Sequence, residues 1–553
     1  MNTDSPINRT DSTHSVVEQI LERSEYYRHI TNSAVVLKEK MEHAQDEKSM
    51  LEANSELQIQ MTRAIKLREY AEDIHETFRT IPLKSARLIQ AEECFYEGKF
   101  QEMDGILDAS KIREEIELLE EDCFFSKDED LKEKARISME YKSYELLVKG
   151  LYRYTFVDNP EWYEDVFELL EDARDASFNV HTLYELASYL KTTDEQEWAF
   201  ELLDDAYVIS RDTEGEACRI YEAKCLWAMG TISKNRDKLP EAIEYAGKSL
   251  KIYTKLSENN PEEYHPRMSQ MLIIMGNYHT YSKNFKVALL IYEEAEKILR
   301  ELASNDNFEY AMRLGDLLDK LASVHVFMGE FEEAFPLYEE ALKIKDDNIE
   351  YNLYAVLRSK ADTLYNLAVA HYSAHEYKEA ISWAKEELKA RKQVQEVDLL
   401  GQLPYRARTR NILSELYLNL NRPADAIRER EKVVKLYRTL AEHFPDNYLH
   451  DLGEALNYCS NIYMRMSSYD KYFQAMTEAL EIFRKLAAAN PEEYMLTVGY
   501  LLANVCHYYE RISPDREKAL EFAHETYKVL SSIERDEGAE KAYTEVMRII
   551  KNS

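Results

Sequence analysis

The sequence predicts an all-α fold, a solenoid of stacked helix pairs, and three observations carry that prediction. The first is a phrase written twice, KLSENNPEEY at 255–264 and KLAAANPEEY at 485–494. The offset holds five strides of 46. Two intermediate slots, 301–310 (ELASNDNFEY) and 439–448 (TLAEHFPDNY), keep Leu at the second place and Tyr at the tenth; two others, 347–356 and 393–402, do not. The second observation is a series of small residues at the same stride. Ala242, Ala288, Ala334, Ala380 and Ala426 each follow a small residue twelve positions upstream: Gly230, Gly276, Ala322, Ala368 and Ser414. The third is composition. Only 13 Gly and 12 Pro stand in 553 residues, against 40 Tyr, and no stretch alternates apolar and polar residues as a strand would. A fixed period of this size marks a stacked repeat.

Taken in order, residues 1–13 are polar and predict a disordered tail. Residues 14–80 contain no Gly or Pro. Apolar residues recur at three-and-four spacing from Ile20 through Tyr27, Ile30, Ala34, Leu37 and Met41. The phase slips near Ser55 and resumes at Leu57, Met61, Ala64, Ala71, Ile74 and Phe78. That pattern predicts one long helix, or two, of coiled-coil character. The stripe must pair with a second copy of the chain, giving a homodimer through residues 14–80, or lie along the repeats. Residues 81–214 read as divergent helical repeats, with Ala91, Gly98, Phe100, Met103 and Leu107 in the first and Ala187, Ala199, Leu203 and Ala206 in the last. Residues 215–530 form the regular 46-residue array. Its joints carry Asn-Pro at 260–261 and 490–491 and Phe-Pro at 444–445. Pro opens the next helix, and the acid after it faces the positive end of the helix dipole. Residues 531–553 predict a capping helix over the last pair, which would otherwise expose apolar surface.

Within one stride, MGNYHTYSKNFKVALLIYEEA at 275–295 places Gly276 in one helix and Ala288, Tyr292 and Ala295 on one face of the next. These residues resemble the tetratricopeptide repeat, in the long 46-residue form found in bacterial proteins. The resemblance implies a right-handed superhelix whose concave face is lined by the first helix of each pair. It also implies a non-catalytic scaffold that binds a protein or peptide partner on that face. The positions so implicated are Asn277, Tyr281, Tyr365, Tyr372, Arg408, Asn411, Asn457 and Asn461. The other reading of the Asn residues is that they bridge neighbouring helices inside the stack. Ile273 and Asn277, Asp319 and Ser323, and Asn411 and Glu415 stand where some relatives carry a Lys–Asn carboxylate clamp, so that clamp is absent. A second functional reading is a regulatory or sensor component of a bacterial signalling system, dimerised by the N-terminal helix and acting on a separate effector.

Asp and Glu number 104 against 70 Lys and Arg, for a net charge of −34. That excludes a nucleic-acid partner, which needs a basic surface, and favours a basic protein partner. No run of 18 apolar residues predicts a membrane span, and the N-terminus lacks an apolar signal core. Six scattered cysteines match neither a disulfide framework nor a zinc site, which places the expected location in a reducing cytoplasm. His371 and His375 stand at i,i+4, but no HExxH pattern accompanies them. His279, His325 and His371 recur at the stride, followed by Tyr417 and Tyr463, and read as a packing series. No Gly-rich phosphate loop, nucleophile elbow or kinase signature is written. The expectation is therefore no catalytic residue, no metal and no cofactor.

Overall fold

The computed structural model describes residues 16–43, 47–155, 162–304, 307–350, 353–395 and 398–551. The expected disordered tail, 1–13, lies outside the described residues. Among these, every regular element is a helix. In order they are α1 (Val16–Arg23), α2 (Glu25–Glu42), α3 (Glu47–Thr80), α4 (Ala86–Tyr96), α5 (Phe100–Ile106), α6 (Ala109–Phe125), α7 (Glu129–Thr155), α8 (Trp162–Ala176), α9 (Val180–Leu190), α10 (Gln196–Asp212), α11 (Glu216–Asn235), α12 (Leu239–Ser257), α13 (Pro261–Tyr281) and α14 (Phe285–Ala303). They continue as α15 (Phe308–Met328), α16 (Phe331–Asp347), α17 (Leu353–Ser373), α18 (Tyr377–Val394), α19 (Leu403–Asn419), α20 (Pro423–His443), α21 (Pro445–Arg465), α22 (Tyr469–Ala489), α23 (Pro491–His507), α24 (Arg516–Ser531) and α25 (Glu537–Lys551). The chain divides into two compact units, Met1–Val324 and His325–Ser553, with the boundary inside α15.

In the first unit α7 packs on α8, α9 on α10, α11 on α12 and α13 on α14; in the second, α17 packs on α18, α19 on α20, α21 on α22 and α23 on α24. α25 lies against α23 and α24 and buries Ala539 and Val546. Where one long helix or two were expected over 14–80, the described residues form three, α1, α2 and α3; the Ser24 hydroxyl accepts a hydrogen bond from the Tyr27 amide at 3.3 Å and caps α2 afresh after α1. α2 pairs with α3 of the same chain, and α3 also packs on α1 and α7. Leu67, Ala71, Ile74 and Phe78 form the buried seam of α3, and Phe78 meets Phe95 of α4 with ring centroids 5.6 Å apart.

The reversals inside the pairs share one geometry. Asp237, Lys283, Gly329, His375, Asn421 and Ser467 stand 46 apart, and all have φ between 54° and 78°. Four positions before them, the carbonyls of Ser233, His279, His325, His371, Tyr417 and Tyr463 accept from the amides of the next residues, Lys238, Asn284, Glu330, Glu376, Arg422 and Ser468, at 2.7–2.9 Å. This is the Schellman closure of a helix C-terminus. It returns the second helix close enough that the small residues matter. A Cβ on Gly276 would come within 2.2 Å of the buried Tyr292 ring, and Ala288, Ala334, Ala380 and Ala426 are fully buried.

The joints between pairs explain the recurring phrase. At three of its four slots its Tyr packs at a tilt against an aromatic residue eleven positions earlier: Tyr264 on Tyr253, Tyr448 on Tyr437, and Tyr494 on Phe483, with centroids 6.2–6.3 Å apart; Tyr310 has Leu299 in that place. At the two slots that lost the phrase, the earlier residue is a buried cation. Lys345 donates from Nζ to the Thr363 hydroxyl at 2.7 Å. Arg391 donates from Nη1 to Gln402 Oε1 at 3.2 Å, from Nε to Glu387 Oε1 at 3.0 Å, and from Nη2 to Asp362. Gln402 occupies the joint Tyr position, and Glu387 stands where the other pairs carry Ser249, Ala295, Ala341, Val433 and Ala479. An aromatic joint has been exchanged for an ionic one. Replacing Arg391 by Tyr alone strands the buried Glu387 carboxylate and is expected to cost about 3–5 kcal/mol in guanidinium unfolding. The triple change Glu387→Ala, Arg391→Tyr, Gln402→Tyr restores the residues of the other joints and is expected to recover most of that loss.

Candidate functional site

The predicted partner residues stand on the first helices of their pairs: Asn277 and Tyr281 on α13, Tyr365 and Tyr372 on α17, Arg408 and Asn411 on α19, Asn457 and Asn461 on α21. In the second unit α17 and α19 bring Tyr365 and Arg408 together, with the guanidinium carbon 3.6 Å from the ring centroid. Arg408 is also 5.5 Å from the centroid of Tyr405 and 3.8 Å from Asp362. Tyr405 is 41% exposed, and the buried Arg391 guanidinium stacks beneath it at 4.5 Å. Tyr365, Arg408, Tyr405 and Asp362 thus form one aromatic and ionic cluster whose floor is the ionic joint. Burial raises the Tyr365 hydroxyl above its ordinary range, so it remains a neutral donor.

The other predicted residues divide by environment. Tyr372 accepts from Asn419 Nδ2 at 3.4 Å. Asn411 accepts from the buried Arg430 at 2.6 Å, and Asn277 accepts from the Tyr292 hydroxyl at 2.8 Å, so both bridge to the second helix of their own pair. Asn457 is half-buried, and Tyr281 and Asn461 are exposed.

His371 and His375 do not converge. His371 lies 2.6 Å from Glu376 across the turn, and His375 holds the left-handed turn position with its ring against the Tyr377 hydroxyl. His325 repeats the first arrangement with Glu330 at 2.8 Å. Among the described residues one trio, His507, Glu510 and Glu545, brings metal-ligating atoms within 4.8 Å. Its carboxylates already pair with Arg511 at 2.6 Å and Arg548 at 3.0 Å, which leaves a cation little to neutralise. On the second-helix side, α20, α21 and α22 enclose a groove of about 580 Å³ lined by Lys432, Lys435, Arg438 and Lys471. Ion pairs Arg438–Glu478 at 2.7 Å and Lys471–Glu431 at 3.5 Å span it.

A second charged cluster, missed in the sequence, lies in the first unit. Glu76 of α3 is held by Lys224 of α11 and Arg267 of α13, each at 2.8 Å. Burial alone would raise the Glu76 carboxyl; the two cations overcome it and hold it at about 2. Beneath lie His181, lowered to about 4 by burial, and Glu185, raised to about 8 by burial. Lys224 stands four strides before Arg408, so following the position of Arg408 back along the stride would have found it.

Residues 315–345 and 361–394 match the family model described as tetratricopeptide repeat. At these two stretches the chain carries tetratricopeptide repeats. No curated protein matches it. Among solved structures, a signal transduction ATPase with numerous domains and a tetratricopeptide repeat sensor, from Pyrococcus horikoshii, is 17% identical. That match covers 69% of this chain and 54% of that one, at a TM-score of 0.43. A Rap protein complexed with Competence and Sporulation Factor is 16% identical over 77% of this chain and 99% of that one, at 0.36. The apo quorum sensor NprR from B. thuringiensis is 12% identical over 68% and 99%, at 0.38.

The buried groups between the helix pairs of the first unit and α3 give a pH signature. Glu185 titrates near 4.5 when unfolded and about 8 when folded, so its contribution declines as pH rises through that window, by about 1.4 kcal/mol per pH unit. Glu76 and His181 act on the other side. Their folded values are depressed, so stability is lost as pH falls from about 6.5 through 4 and on toward 2. Thermal melts are expected to show the wild-type midpoint falling from pH 6 to pH 8, with Glu185→Gln removing most of that fall.

Proposed function

We propose that the chain is a non-catalytic scaffold that binds a peptide segment of a protein partner on the first-helix face of its second unit. The observation that carries this reading is the Tyr365–Arg408–Tyr405–Asp362 cluster. It offers two aromatic faces, a guanidinium and a half-exposed carboxylate on neighbouring first helices, and it stands where the repeat pattern gives up its aromatic joint. Tyr and Arg in such a setting are the residue types that dominate binding energy at protein interfaces. Asp362 and the net charge of −34 favour a partner with basic residues around the contact.

A second reading is a regulatory component that dimerises through residues 14–80 and acts on a separate effector. It draws on Val35 and Val36 of α2 and Ile59 of α3, which are 58%, 49% and 43% exposed on the α2–α3 pair.

Peptides selected from a random display library on the full chain test the first reading. Arg408→Glu is expected to weaken the selected peptides by about 30-fold, the range of a hot-spot loss. Lys435→Glu, in the second-helix groove, is expected to leave them unchanged. Loss with Lys435→Glu and not with Arg408→Glu would move the partner to the other side of the pairs.

A further inference from the structure

The Glu76 cage has the form of an occupied binding site. Its two cations come from α11 and α13, its carboxylate from α3, far away in the sequence. Lys224 also packs against two aromatic faces, 5.1 Å from the Tyr184 centroid and 5.0 Å from that of Tyr221. It holds the same repeat position on α11 that Arg408 holds on α19. α3 meets this face with its ionic edge. Arg68 pairs with Glu309 of α15 at 3.2 Å, Glu76 with Lys224 and Arg267, and Arg79 with Glu263 of α13 at 2.7 Å. Its apolar edge, Leu67, Ala71, Ile74 and Phe78, is the one that belongs to the core with α4 and α7. Below the cage, the buried His181 ring and Tyr221 hydroxyl have Thr80, the last residue of α3, as their polar partner, so the end of this helix seats polar groups of the face as Glu76 seats its cations.

We infer that Lys224 and Arg267 form a carboxylate-binding site on the first-helix face of the first unit. Glu76 fills it as an internal ligand, and an acidic amphipathic helix of a partner protein fills it on displacing the ionic edge of α3. The occupant's chemistry is read from the segment that lies there: a helix presenting a glutamate between two cations, with opposite charges flanking it. The site is separate from the Tyr365–Arg408 cluster, and neither needs the other.

The test uses the full chain and a fluorescent synthetic peptide of residues 66–80 as the probe. Glu76→Ala vacates the cage, and the peptide is expected to bind this variant at least tenfold tighter than the wild type. The same peptide with Glu76→Gln is expected to bind at least tenfold more weakly than the parent peptide, and raised salt should weaken the parent further. Equal binding of the two peptides, or none, would overturn the site. Circular dichroism checks that Glu76→Ala is folded. If it is not, the rim variant Arg68→Glu with Arg79→Glu loosens α3 and leaves the cage intact. It is expected to reduce hydrogen-exchange protection of residues 68–80 and to admit the peptide. Unchanged protection and no binding would sink the proposal, and a concentration-dependent dimer of the rim variant would assign the site to α3 of a second copy instead.

Discussion

Everything in the array depends on a tight reversal that sets two helices close together. A left-handed residue after the first helix and a carbonyl four positions before it fix where the second helix begins, and the small residues then determine how near it lies. The reversal has no slack. With Gly276 replaced by anything larger, the Tyr292 ring would have to leave its buried place, and with it the hydrogen bond to Asn277. Because the closure recurs at one repeat position, each pair presents its joint and its outer face in the same register. That is why a single ten-residue phrase could be reused at four joints.

The joints show that the geometry tolerates two chemistries. Tyr253 on Tyr264 and Phe483 on Tyr494 fill the space with aromatic rings. Lys345 and Arg391 fill it with a cation, whose hydrogen bonds are then met by Thr363, Gln402, Glu387 and Asp362. An ion taken from water demands such partners, so the exchange of one residue carried several others with it. Gly401 belongs to that set, since a Cβ there would strike the Asp398 carboxylate that accepts from Gln402.

Much of this was legible before any coordinates. The stride, the small-residue series, the joint Tyr residues and the all-helical class follow from spacing. Tyr365 and Arg408 were both named as what the resemblance to the repeat family implies. The reversals were hard to read as left-handed, because only Gly329 among the six residues is a glycine; Asp237, His375 and Asn421 give a weaker signal, and Lys283 and Ser467 none. The break at Ser24 was hidden because the apolar stripe continues through it. The Glu76 cage was hidden for a deeper reason. Ion pairs between residues well over a hundred positions apart leave no periodic trace, and in a chain with 104 acidic residues no single Glu stands out. The partner series also began at Asn277, in the pair after the one that holds Lys224.

The ionic joint and the exposed cluster are one construction. A buried ion pair gives little net stability over a well-packed apolar alternative, and this chain has such an alternative at its other joints. Stability alone therefore does not account for Arg391. Its guanidinium does two things an aromatic residue could not: it holds Asp362 by a charged hydrogen bond, and it supports the ring of Tyr405 from below. Asp362 in turn faces Arg408, which lies on Tyr365. Removing the ion would leave Asp362 free to turn toward water and Tyr405 without its support, so the face would lose its arrangement even if the pairs stayed stacked. The departure from the repeat is thus best explained by what it organises on the surface next to it.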